Sequence, residues 1–351
     1  LLCIKSVGLN VALDSLMVAN LAPGDGGFVI LVGDDPGGWG SQNEQDSRPL
    51  VVAAEVPLLE PTAATEARET IVDAFALSER YQIPVVVRIT RGLVLERIQG
   101  SQPPAYPHSR PQAHFVRQGD RFNVLPIHVV DMHRQLQAKL NQVQTDFEQS
   151  PGNGETGTGS VGVIAAGHAY RKLADLLAQA NEPPLRVLRL RTLHPLPMKR
   201  ARSFLQKVEA VLIVEETAPY VETQVQALAQ RAGLNLPIYG RGSNHLPSAG
   251  EIFAAEIGSA LQKLLPHWAW PPSSTSQRVM PSRQSLCEDC PYVPLLETLL
   301  GVMKRHGGRD AFVVTGETGC MVRAQLPPWK ILDVKYGMGA SIGLATGLAC
   351  A

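Results

Sequence analysis

Residues 26–48 read GGFVILVGDDPGGWGSQNEQDSR. Phe28 to Val32 is an unbroken apolar run, which suits a strand buried on both faces of a parallel sheet. The run stops at Gly33-Asp34-Asp35-Pro36-Gly37-Gly38, where proline cannot donate a ladder hydrogen bond and glycine lets the backbone approach a ligand closely. Eight polar side chains follow, Ser41, Gln42, Asn43, Glu44, Gln45, Asp46, Ser47 and Arg48, at what should be the carboxyl end of a sheet strand. Ligands of open α/β sheets bind at that edge. The plainer reading of the same octet is a solvated loop capping the next helix.

Working outward, Leu9, Ala12, Leu13, Leu16 and Met17 recur at helical spacing, so residues 9–21 are expected to form an amphipathic helix leading into the strand. A second helix is expected from Thr62 or Thr65 to Tyr81, then a strand over Val85–Ile89. Helix and strand alternate, which implies a parallel sheet. Residues 95–150 read as a connector, with a proline-punctuated loop from Gln102 to Pro111 and a polar surface helix near 127–148. Ser150 to Gly159 has the composition of a flexible linker. From Val161 the alternation resumes, with strands at 161–166, 185–190, 210–215 and 237–239 and helices near 170–180, 198–208 and 220–232. Residues 259–284 are expected to be a second linker, with Trp268 and Trp270 pinned by burial of their rings.

The charges balance, 32 basic against 32 acidic, which removes the electrostatic case for nucleic acid or an anionic membrane. No apolar run approaches the ~20 residues needed to span a bilayer. Five cysteines, with one Cys-x-x-Cys, fit a reducing compartment, so cytoplasm is expected. Cys287 and Cys290 read equally as a zinc half-site, a redox dithiol or two incidental thiols. Strands are expected at 311–314 and 330–335, and Cys350 in a buried helix. Tyr336-Gly337-Met338-Gly339-Ala340-Ser341 reads as a glycine-rich helix start, whose amides suit an anion and whose small residues equally suit packing on a sheet.

Three stretches, Gly8-Leu9-Asn10-Val11-Ala12, then DDPGGWGSQNEQDSR, then Pro57-Leu58-Leu59-Glu60-Pro61, resemble in order and spacing the pyrimidine-binding domain of the indolepyruvate ferredoxin oxidoreductase alpha subunits. These belong to the thiamine-diphosphate 2-oxoacid ferredoxin oxidoreductases. Arg191 to Pro197 and Val214 to Tyr220 resemble the family's transketolase C-terminal-type domain, in which His194 and Glu216 would be structural. Cys287-Glu288-Asp289-Cys290-Pro291 followed by Gly316-Glu317-Thr318-Gly319-Cys320 resembles its diphosphate-binding domain.

The resemblance implies an α/β chain of three doubly wound parallel-sheet domains: 1–94 for pyrimidine, 160–258 transketolase-like, and 285–351 for diphosphate, joined by segments 95–159 and 259–284. It implies thiamine diphosphate and Mg2+, with Gly337, Gly339, Ala340 and Ser341 at the diphosphate. It also implies a [4Fe-4S] cluster on Cys287, Cys290 and Cys320. Asn43 and Arg48 are expected at the cofactor or substrate. The chain opens without methionine and closes on Gly347 to Ala351 within a helical pattern, so a fragment at both ends is expected. The activating glutamate would then lie upstream, and the magnesium motif and a fourth cluster cysteine downstream. The implied activity is oxidation of an arylpyruvate with coenzyme A to an aryl-acetyl thioester, carbon dioxide and reduced ferredoxin, with a beta subunit as partner. Glu288-Asp289 and Tyr292-Val293 depart from the family's usual Pro-Gly and His-Arg. Acids beside an anionic cluster would lower its potential or discourage assembly. A non-catalytic paralogue and a non-oxidative thiamine decarboxylase are therefore the competing readings.

Overall fold

A computed structural model describes residues 1–98, 117, 119–271 and 286–350, apart from Pro23, Gln42 and Glu182. The loop expected at 102–111, Gln42, and residues 272–284 of the expected second linker lie outside the described residues. The chain divides into two compact units, Leu1–Gln277 and Arg278–Ala351.

The first unit opens with β1 (Leu2–Lys5), an edge strand not expected from sequence, and α1 (Ser6–Ala19), which buries Leu9 and Leu16. Then come β2 (Val29–Asp34), α2 (Arg48–Ala53), β3 (Leu58–Leu59), α3 (Ala64–Tyr81) and β4 (Val85–Thr90). Neither Thr62 nor Thr65 caps α3: the N-cap is Ala63, and the Glu96 carboxylate accepts the Ala64 amide at 2.7 Å. Short helices α4 (Arg91–Leu95) and α5 (Gly119–Phe122) lead to α6 (Val129–Gln149).

That last helix is not the surface connector its polar composition suggests. Leu136, Leu140, Val143 and Phe147 are spaced four, three and four apart, form one stripe, and are buried in the main core. The expected linker after it is also ordered in part. There β5 (Gly154–Gly157) pairs antiparallel with β7 (Leu185–Leu190), and the chain passes so near Pro184 that a Cβ on Gly159 would lie 1.7 Å from the Pro184 carbonyl oxygen. Glycine serves close approach there, not looseness.

The second sheet contains β5, β6 (Val161–Ala166), β7, β9 (Ala210–Val214) and β10 (Ile238–Tyr239), in the order β10-β9-β6-β7-β5. All its pairs are parallel except β5–β7. Around it lie α7 (Ala169–Leu177), β8 (Thr192–His194), α8 (Met198–Leu205), α9 (Tyr220–Arg231) and α10 (Ala254–Leu264). Strand periodicity sorts the side chains: Ile164, Leu188 and Ile213 face the main core, while Val163, Val187 and Leu212 face a second core beneath α7 and α10. Ile257, Ala260 and Leu261 of α10 are fully buried, so 254–264 is a core helix and not the start of a linker. Trp270 packs on this second core, and the Trp268 indole donates to the Ala180 carbonyl at 3.2 Å.

The first sheet runs β1-β2-β4-β3-β8, so the segment expected to belong to a separate domain supplies its last strand through the antiparallel β3–β8 pair. One apolar core spans both sheets, containing Val29, Ile30 and Val86 of the first with Ile164, Leu188 and Ile213 of the second. The stretches 1–94 and 160–258 lie within the same compact unit.

In the second unit, α11 (Tyr292–Arg305) packs Leu296 and Met303 against Ala324 and Ile331. The strands expected at 311–314 and 330–335 shrink to a single parallel bridge, Thr315–Val334. Two short strands alone bury too little to persist as a sheet. The unit ends in α12 (Ala340–Cys350), none of whose residues is buried, so Cys350 is exposed instead of lying in a buried helix.

Candidate active site

The register of the first sheet places Asp34 beside Thr90 where β2 and β4 end. A cleft of about 300 Å³ opens over this carboxyl edge. Its floor is Gly33, Asp34, Asp35 and Thr90, its walls Trp39, Arg91, Val94 and Leu95, and Lys5 lies at the end of β1. The Arg91 guanidinium stacks 4.8 Å from the Trp39 ring centre. The Lys5 ammonium donates to the Ser41 hydroxyl at 2.6 Å. Asp35 Oδ2 accepts the Gly40 amide at 2.7 Å and so shapes the loop. Three buried oxygens of the cleft, Asp34 Oδ1, Asp35 Oδ1 and Thr90 Oγ1, have no hydrogen-bond partner.

Behind the cleft lies a sealed charge cluster. Arg88 donates from Nε to Asp34 Oδ2 at 2.5 Å and from NH1 to Glu60 Oε1 at 2.8 Å. Arg48 pairs with Asp46 at 2.6 Å and Glu215 at 2.7 Å, and its guanidinium lies 5.1 Å from the Tyr220 ring centre. Both arginine side chains are 0% exposed. Glu215 also accepts the Val221 and Glu222 amides of the first turn of α9, where the helix dipole favours an anion. Burial works against ionised Asp46, but Arg48 and Arg88 outweigh it and hold its carboxyl well below the usual range.

Four carboxyl groups thus face two guanidinium groups, and the surplus is felt at Glu60 and Glu215. Burial pushes both above their ordinary value in spite of Arg88 and Arg48. A carboxyl raised in the folded state stabilises below its unfolded pKa, 4.5 here, and loses that contribution as pH rises through the folded value. Glu60→Gln is therefore expected to match the unchanged protein in urea unfolding at about pH 4 and exceed it at about pH 8. A variant less stable by over ~1 kcal/mol at the higher pH would contradict this account of the surplus.

No family model matches. The indolepyruvate oxidoreductase subunit IorA of Pyrococcus abyssi is 33% identical over 99% of the chain, that of Thermococcus kodakarensis 33% over 99%, and that of Archaeoglobus fulgidus 30% over 98%. By sequence the chain is similar to these IorA subunits along nearly all of its own length. It spans about half of their length, 55% in each case. Among solved structures, 2-oxoglutarate:ferredoxin oxidoreductase from Magnetococcus marinus superposes with a TM-score of 0.50 at 16% identity, over 74% of this chain and 52% of that one, a likeness of fold.

In this chain the described members of the polar octet divide by residue. Arg48 has no path to the cleft, because its guanidinium is enclosed by Asp46, Glu215 and the Ala218 carbonyl. Asn43 is exposed. Glu44 Oε1 accepts the Gly37 amide at 2.9 Å and the Gly250 amide at 2.8 Å, tying the loop to the segment before α10. The Ser47 amide and hydroxyl both donate to Asp34 Oδ2. Most of the described members of the octet thus anchor the loop. Glu216 accepts from Lys172 at 2.7 Å and from the Ile252 amide at 2.8 Å, a structural arrangement. His194 is only partly exposed, and burial lowers its pKa to about 4, leaving it neutral near pH 7.

In the second unit Glu317 occupies the start of α12. Its carboxylate accepts the Gly339 amide at 3.0 Å, the Ser341 amide at 3.0 Å and the Ser341 hydroxyl at 2.5 Å. These bonds draw the Glu317 carboxyl below its usual pKa. Gly337 and Ala340 flank them. The donors expected for a diphosphate thus already hold an anion of the protein itself, which suits the chemistry and means that Glu317 must move for another anion. Cys287, Cys290 and Cys320 are free thiols, and among the described residues no three His, Cys, Asp or Glu side chains gather into a metal site. The three thiols do not fit a cluster as placed.

Lys5 and Thr90 were not legible as cleft residues, because only strand register brings them beside the Asp34-Asp35 turn. Arg88 carried a signal: a charge inside VVVRIT, an otherwise apolar strand, demands a buried partner.

Proposed function

We propose that this chain contributes the coenzyme-binding part of a cytoplasmic 2-oxoacid ferredoxin oxidoreductase that acts on arylpyruvates. With coenzyme A and a beta subunit, the whole protein yields an aryl-acetyl thioester, carbon dioxide and reduced ferredoxin. The observation that carries this reading is the similarity to IorA subunits along 99% of the chain, joined to a cleft at the carboxyl edge of a parallel sheet. Among the described residues no helix is long and apolar enough to cross a membrane.

Thiamine diphosphate, held with Mg2+, supplies the electron sink for decarboxylation. The chain's own residues supply position and charge. Gly339 and Ser341 offer amide and hydroxyl donors to the diphosphate once Glu317 turns away, with Gly337 and Ala340 leaving room. Arg91 and Lys5 bring positive charge to the cleft where a 2-oxoacid carboxylate is accommodated. Arg48 and Arg88 hold the floor in place without touching substrate, and Asn43 lies outside.

The [4Fe-4S] assignment of Cys287, Cys290 and Cys320 rests on their sequence pattern alone, and no step is routed through it. The second readings are a decarboxylase without a cluster and a paralogous subunit, the latter favoured by the departures Glu288-Asp289 and Tyr292-Val293. Anaerobically prepared full-length chain with its beta subunit decides between them. About four iron and four sulphide per chain, with arylpyruvate- and coenzyme A-dependent ferredoxin reduction, supports the oxidoreductase. Absent iron with persistent arylpyruvate consumption supports the decarboxylase, and neither supports the paralogue. The 351-residue chain alone is expected to consume no arylpyruvate above blank.

A further inference from the structure

Residues 250–252, just ahead of α10, are pinned on both sides of Glu251. The Gly250 amide donates to Glu44 at 2.8 Å, and the Gly250 carbonyl accepts from the buried Arg241 guanidinium at 2.7 Å. The Ile252 amide donates to buried Glu216 at 2.8 Å, and the Ile252 carbonyl accepts from Lys172 at 2.8 Å. A backbone held at four points fixes where the Glu251 side chain starts. Its carboxylate is buried, and Oε1 accepts from the Lys172 ammonium at 2.9 Å, which Glu216 also holds at 2.7 Å. The other oxygen, Oε2, lies 4.0 Å from NH1 of Arg91, on the wall of the cleft over β2 and β4.

The Arg91 side chain is 36% exposed, and an arginine so placed ordinarily samples many rotamers. Here the guanidinium has the Trp39 ring on one side, 4.8 Å from its centre, and Glu251 as a second neighbour. The loop that carries Trp39 is tied to the same pinned segment, because Glu44 accepts both the Gly37 and the Gly250 amides. Gly92 makes the approach of α4 possible: a Cβ there would lie 2.6 Å from the His168 ring and 3.5 Å from Glu251 Oε1. Since Glu251 shares its charge with Lys172, Arg91 is oriented while keeping its donors for the cleft. We infer that Glu251 is a positioning residue, which holds the Arg91 guanidinium against Trp39 in the orientation that meets an anionic group in the cleft. A segment that follows the last strand of the second sheet thereby sets a wall of the first sheet's cleft. The contact of Arg91 with a 2-oxoacid carboxylate rests on the reading above, and its placement by Glu251 is the addition.

Two measurements test it, one of them independent of substrate. The 351-residue chain is labelled with 5-fluorotryptophan, and the Trp39 resonance is identified as the one lost in Trp39→Phe; Trp268, Trp270 and Trp329 serve as internal controls. Arg91→Met gives the position of the Trp39 signal without the stacked guanidinium. Glu251→Gln, whose amide oxygen can still accept from Lys172, is expected to move the Trp39 signal most of the way to that position and leave the other three in place. Glu251→Asp keeps a charge for Lys172 but withdraws it from Arg91, and is expected to move the signal in the same direction. In the full-length protein with its beta subunit, Glu251→Gln is expected to raise KM for an arylpyruvate about three- to fivefold with kcat retained, the scale of one partly exposed ion pair. Arg91→Met is expected to raise it at least about tenfold, and the double variant no further, because Glu251 acts through Arg91.

A Trp39 signal that stays put in both Glu251 variants overturns the inference. So does movement of all four tryptophan signals together, which would mean general loosening. A lowered kcat with unchanged KM would show that Glu251 only keeps the protein folded, and a double variant worse than Arg91→Met would show that it acts by another route; either result overturns the inference as well. Failure of the arylpyruvate reading looks different: the Trp39 signal still follows Glu251 while the complete protein turns over no arylpyruvate.

Discussion

Replacing Arg88 with methionine is expected to lower the unfolding free energy of the chain by about 3–5 kcal/mol, because removing one partner leaves buried carboxylates uncompensated. Arg88 is 1% exposed and holds Asp34 and Glu60 at once, with a further bond from NH2 to Thr217 Oγ1 at 3.2 Å. Methionine fills much of the volume, so the loss is electrostatic and not a cavity. Urea unfolding at neutral pH reads it, and neutralising the stranded carboxyls in a triple variant with Asp34→Asn and Glu60→Gln is expected to restore much of the stability. A loss under ~1 kcal/mol for Arg88→Met would mean that the cluster does not hold the two sheets in register. The cleft should suffer with it, since Asp34 belongs to both.

Gly159→Ala is expected to cost about 3 kcal/mol, at the upper end of what overpacking does. The added methyl would meet the Pro184 carbonyl oxygen at 1.7 Å and carbon at 2.3 Å, and both are backbone atoms that cannot swing aside. Gly24→Ala, where nothing lies within 4 Å, is the matched control and should change little. Thermal unfolding of the two variants separates a held segment from a loose one. If Gly159→Ala melted with the control, the antiparallel edge β5–β7 would not be part of the stable body.

The glycines of 150–159 look like a flexible linker because composition cannot distinguish freedom from close approach, and only the neighbour at Pro184 separates them. Residues 127–148 look polar overall, yet four residues at helical spacing are enough to bury one face, which an average over the segment conceals. Arg48 and Asn43 appear equivalent in the octet. The fold encloses the first between Asp46 and Glu215, 167 residues downstream, and leaves the second in solvent. In the second unit, Glu317 and Ser341 are 24 residues apart, and no local pattern says that one caps the other.

What the sequence determined by itself was local or cumulative. The apolar runs and their alternation with helices specify parallel strands, the Asp-Asp-Pro-Gly break places a loop at a carboxyl edge, and similarity along the chain assigns its relatives. The tertiary structure alone decided which charged groups are sealed, because the cost of burying a charge depends on partners delivered by distant elements. Arg48 and Arg88 sit inside because Glu215, Asp34, Asp46 and Glu60 meet them there.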